Sequence, residues 1–82
     1  MKYQIGDVVQ WVLGSTTGEA YFIGHPKSDK RDAVLILASA AMAELEIDAE
    51  DCHPSGRSYP AKGAEYRQRH LRQFPGRLKG NP

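Results

Sequence analysis

Along the opening stretch IGDVVQWVLG, apolar residues occupy the odd positions Ile5, Val9, Trp11 and Leu13. Asp7 interrupts the series, and Val8 and Val12 fall on the other face. β-branched and aromatic side chains bounded by Gly6 and Gly14 predict a strand over residues 7–13. GSTTG (14–18) reads as a loop, EAYFIG (19–24) as a second strand ending at Gly24, and HPKSDKRD (25–32) as an exposed charged loop.

The stretch KRDAVLILASAAMAELEID (30–48) admits three readings: a secretory signal, an Ala-rich helix, or two strands. A signal sits at the N-terminus, and patterned residues precede this one, so export is not expected. The apolar run 33–43 is also far shorter than the roughly 20 residues that cross a bilayer. Alternation decides between the other two. Ala43, Leu45 and Ile47 alternate with Glu44, Glu46 and Asp48, the period of a strand with one wet face. A helix over 33–47 would instead scatter Leu35, Ile36, Leu37, Leu45 and Ile47 around its circumference. The expectation is two strands, 33–38 and 43–47, joined by a turn of small residues.

After them, Asp48 is a suitable N-cap for one helical turn, and Cys52-His53 predicts a stub of strand before Pro54. IGDVVQW, GEAYFIG and LEIDAEDCHP, taken as first strand, second strand and strand–turn–strand, resemble SH3-like small barrels of the Tudor and KOW type. The resemblance covers residues 4–54. It implies a mainly β fold, a small five-stranded SH3-like barrel, to which the spacing in the tail adds a short C-terminal amphipathic helix. The chain then divides into a barrel over 1–54 and a basic C-terminal arm over 55–82.

Within the arm, SGRSYPAKG (55–63) reads as a linker. AEYRQRHLRQF (64–74) reads as a helix with Tyr66, His70 and Phe74 at four-residue spacing and Leu71 beside them. Gln68, Arg69 and Arg72 fall on the opposite side, and Pro75-Gly76 stops the helix. RLKGNP is expected to fray.

Charge sharpens this division. Of the chain's 82 residues, the first 56 carry four cations against nine carboxylates, a net of −5. The last 26 carry seven cations against Glu65 alone, a net of +6. An acidic body with a basic arm points to an anionic partner. The single cysteine, Cys52, excludes an intramolecular disulfide and suggests a reducing, cytoplasmic setting.

Catalytic chemistry finds little support. Cys52 and His53 are sequence neighbours and would face opposite sides of a strand. No C-x-x-C or H-x-x-x-H spacing exists, and GSTTGE lacks the lysine of a phosphate loop. The plasmid-borne type II dihydrofolate reductases are also short SH3-like barrels, with a site at the centre of a tetramer. Their penultimate strand carries Val-Gln-Ile-Tyr, where this chain has Leu45-Glu46-Ile47-Asp48, acids in place of the amide and the phenol. No cofactor and no metal are expected on this reading. Trp11, Tyr21, Phe22 and Tyr3 could form an aromatic cage for a methylated cation, but Trp11 and Phe22 fit the core better. Tyr21, facing away from Phe22, is the ring expected at the surface.

Sequence thus predicts a non-enzymatic binding module. Its partner would be nucleic acid or an acidic protein surface, held by Arg57, Lys62, Arg67, Arg69, Arg72 and Tyr21. The alternatives are a homo-oligomer in which Tyr66, Leu71 and Phe74 dock on a second subunit, and a small oligomeric enzyme with a site at a subunit junction. A further possibility is that the arm folds back on the chain's own acids, Glu44, Glu46 and Asp48.

Overall fold

The computed structural model describes residues 2–80. It is mainly β, five antiparallel strands followed by one helix: β1 Asp7–Leu13, β2 Thr16–Gly24, β3 Val34–Ala38, β4 Leu45–Asp48, β5 Cys52–Ser58 and α1 Pro60–Gln73. A single helical turn, Ala49–Asp51, links β4 to β5. The sheet order is β4-β3-β2-β1-β5.

Residues 34–38 and 45–48 form the expected hairpin, with Leu35 opposite Ile47 and Leu37 opposite Leu45. The unbroken apolar run VLILA has a physical cause: the sheet is covered on both faces there. Leu35 and Leu37 join Val9, Trp11, Ala20, Phe22, Ile47 and Cys52 in the main core. Ile36 and Ala38 point the other way, into a second cluster with Ile23, Tyr66 and Leu78. The C-terminal segment therefore supplies one wall of a core.

Several boundaries differ from expectation. β2 begins at Thr16, so three of the five residues of GSTTG are strand. Trp11 sits opposite Gly18 in the ladder, and its ring lies where a Cβ on Gly18 would be, 2.6 Å from that position. β5 runs to Ser58 as an edge strand paired with β1, beyond the stub expected to end at Pro54. Pro54 is tolerated because an edge strand has a free side. The helix starts at Pro60 rather than near 64, since proline's fixed φ suits a first helical position. Asp48 makes no side-chain cap bond; it is the exposed last residue of β4, paired with Val34.

RLKGNP does not fray over its described part. Lys27 N donates to Arg77 O at 2.7 Å, Lys79 N donates to His25 O at 2.9 Å, and Leu78 is fully buried opposite Pro26. Burying Leu78 against the outer face of the sheet holds the segment down. Asn81 and Pro82 lie outside the described residues.

Candidate nucleic-acid interface

The basic residues named from sequence meet different fates. Arg67 is turned inward, donating from Nη1 to Ile23 O at 2.6 Å and from Nη2 to Lys79 O at 3.2 Å. It is a strut between helix, sheet and C-terminal segment, with its guanidinium spent on backbone carbonyls. Desolvation holds its pKa below the usual arginine value. Arg77 bridges to Glu46 at 2.6 Å and Glu44 at 3.4 Å, and Lys79 bridges to Asp32 at 2.5 Å. That part of the arm folds back on the chain's own acids, whereas Asp48 has no salt bridge among the described residues.

Three cations stay outward. Lys62, Arg69 and Arg72 are exposed and form no salt bridge among the described residues. Their spacing of seven and three residues places them along one stripe of α1, with Glu65 between. The neighbouring stripe, Gly63, Tyr66 and His70, is buried. The helix is amphipathic in this way, with Phe74 left exposed at its C-cap. Tyr66 lies in the chain's own core, so it is not available to dock on a second subunit, and Leu71 packs beside it.

Beside the cationic stripe stands a group of three tyrosines. Tyr21, expected as a lone surface ring, is half-buried and stacked on Tyr66 at 5.5 Å between centroids. Tyr59 meets it edge-on at 6.1 Å and remains 47% exposed. The Arg69 guanidinium carbon lies 5.2 Å from the Tyr66 centroid, within cation–π range. On the other flank Arg57 donates to Glu19 at 2.6 Å, a hydrogen bond that raises the Arg57 pKa and lowers that of Glu19. Both side chains are about half exposed, so the pair is worth little stability and opens at small cost. A shallow cavity of about 270 Å³ lies among Tyr21, Tyr59, Arg57, Glu19 and Ser39.

Tyr59 was missed in the sequence. Its signal is the aromatic before proline in RSYPAK, where the break between strand and helix leaves a ring at the surface. The cage of Trp11, Phe22, Tyr3 and Tyr21 is not assembled. Trp11 and Phe22 are core, Tyr3 packs on Phe22 at 5.7 Å, and Tyr21 belongs to the other face.

Cys52 and His53 do point apart, one buried and one exposed. Burial, then the carboxylates of Asp51 and Asp48, push the Cys52 thiol up to about 11. Among the described residues, one trio brings metal-ligating atoms within 4.8 Å of one another, Asp48, Glu50 and Asp51. It is a partly solvated acidic corner next to the helical turn. No helix among the described residues is long and apolar enough to cross a membrane.

Comparison with known proteins finds no family model, no curated protein and no solved structure that matches this chain.

Proposed function

We propose that the chain is a small SH3-like barrel acting as a non-enzymatic module for single-stranded nucleic acid. The strand order β4-β3-β2-β1-β5, with one helical turn between β4 and β5, supports the barrel reading. The observation that carries the function is the Tyr21–Tyr59–Tyr66 group with Arg69 over its edge. Aromatic faces stack on unpaired bases, and neighbouring cations follow the phosphates. Unpaired bases can leave the stack to meet an exposed ring such as Tyr59, whereas bases in a duplex cannot.

Anisotropy titrations with a labelled single strand and its duplex, at several salt concentrations, test the reading. Single-strand binding should dominate, and log K should fall against log[salt] by about 0.7 for each phosphate contacted. Replacing Tyr59 with Ala should cost about 1–3 kcal/mol, the contribution of one stacked base. Replacing Lys62, Arg69 and Arg72 together should flatten the salt dependence with little regard to base sequence. Binding that is insensitive to salt, or unchanged in both variants, would remove this function.

A further inference from the structure

Around the C-terminal end of β2 lies a second cleft of about 370 Å³, within the range of small-ligand sites. Its floor is a row of rings. Tyr3 and Phe22 lie 5.7 Å apart, and Phe22 meets His25 edge-on at 5.1 Å. His25 Nδ1 lies 2.8 Å from Val34 O, and because a carbonyl only accepts, Nδ1 carries the proton and Nε2 is left over. The rim is charged: Lys2, Arg67 and Lys79 stand against one carboxylate, Asp32.

Arg67 matters most here. Both of its hydrogen bonds go to neutral carbonyls, and among the described residues no carboxylate lies within salt-bridge distance of it. Lys79 spends its charge on Asp32. With Lys2, the side chains that line the cleft sum to two positive charges over an apolar, aromatic floor, and Asp29 stands behind Lys79 outside the lining.

We infer that this cleft binds a small organic anion, a flat ring bearing one phosphate or carboxylate. The ring lies against Tyr3 and Phe22, and the anionic group sits between Lys2 and the Arg67–Lys79 corner. The site is separate from the Tyr59 surface and does not depend on it. Gly24 supports it, because a Cβ there would come within 2.6 Å of Arg67 Nη1. The guanidinium reaches the cleft only across a bare glycine.

The test is a two-dimensional NMR titration of the full chain with adenosine 5′-monophosphate and, separately, 2-naphthoate. Adenosine and inorganic phosphate serve as halves of the first probe. Saturable shifts at Tyr3, Phe22, Gly24, His25 and Lys79 are expected, at least tenfold weaker with either half alone. Whichever whole probe binds tighter names phosphate or carboxylate as the anionic group.

Two surface variants give opposite results. Asp32→Asn removes the one carboxylate, and asparagine tolerates the positive φ of 55° found there. It should tighten binding about fivefold, the effect of one unit charge at contact distance in water. Lys2→Glu should weaken it by more than that factor. Arg67 is avoided because it also holds the fold. Absence of saturable shifts up to millimolar ligand, or equal affinities in the two variants, would overturn the site. Shifts centred on Tyr21 and Tyr59 would overturn it too, while leaving the single-strand reading untouched.

Discussion

Arg67 on helix α1 donates a 2.6 Å hydrogen bond to the carbonyl of Ile23 on β2, a residue with no exposed surface. A second bond, to Lys79 O at 3.2 Å, ties in the C-terminal segment. Three parts of the chain are joined by one guanidinium. Its planar fork suits two divergent carbonyls in a way a lysine ammonium does not.

Arg67→Ala should therefore destabilise the protein by about 1.5–3 kcal/mol, the range for a hydrogen bond to a charged group. Arg67→Lys should recover only part of this. Arg69→Ala and Arg72→Ala, exposed and without a salt bridge among the described residues, should each stay within about 0.5 kcal/mol of the parent. Urea unfolding curves separate the two classes. Equal, small effects at all three positions would show that Arg67 is not a strut.

The helix seats on a pair of glycines. A Cβ added to Gly63 would lie 2.3 Å from both Cα and N of Gly6, which is backbone and cannot swing aside. Helix propensity alone favours alanine over glycine by about 1 kcal/mol. Overpacking against backbone costs about 1–3 kcal/mol or more and works in the opposite direction. Gly63→Ala should lower the melting temperature; a higher one would mean that the helix does not rest here.

Cys52 is buried, and its Sγ lies 3.4 Å from Asp48 O, to which the thiol donates. With a pKa pushed up to about 11 it should resist alkylation in the folded state at neutral pH. The unfolded thiol ionises near its ordinary value while the folded one stays protonated. Its contribution to stability is therefore complete below that ordinary value and declines as pH rises from about 9 to about 11. The slope is at most about 1.4 kcal/mol per pH unit. Cys52→Ala should flatten this decline in urea curves recorded across that window.

His70 responds in the acid direction. Its side chain is 1% exposed, Nδ1 lies 3.7 Å from Glu44 Oε2, and Nε2 has no hydrogen-bond partner among the described residues. Burial pushes its pKa down; Glu44 pulls it up, and Arg77 and Arg67 push it down further. The fold therefore prefers the neutral ring. An unfolded chain takes up the proton near pH 6.5, so stability is complete above that value and falls as pH drops below it. His70→Phe should lose this acid slope between pH 7.5 and 5, while Glu44→Gln should steepen it. Parallel slopes in all three proteins would remove His70 as the cause.

Within residues 30–48, local pattern marks the second strand plainly and the first one poorly. AELEID alternates because β4 has one wet face, so its period survives in the sequence. VLILA has no period because main core and second cluster cover both of its faces, and a strand buried on both sides looks like any apolar run. Charge segregation was equally plain, and so was the separation of Cys52 from His53. The destination of each cation was not. Arg67, Arg69 and Arg72 are alike in the sequence, yet Arg67 lies at the edge of the buried helix stripe and the other two on the wet one. Arg77 and Lys79 find Glu44, Glu46 and Asp32 only because Leu78 has a place to be buried between them, more than forty residues away from Asp32 and next to Pro26. Likewise Tyr21 and Tyr66 belong to one stack, but 45 positions separate them, and no local signal pairs residues across that distance. Alternation and helical spacing are written within a few residues. Which charge is neutralised and which ring is left for a ligand depends on what the folded sheet brings alongside.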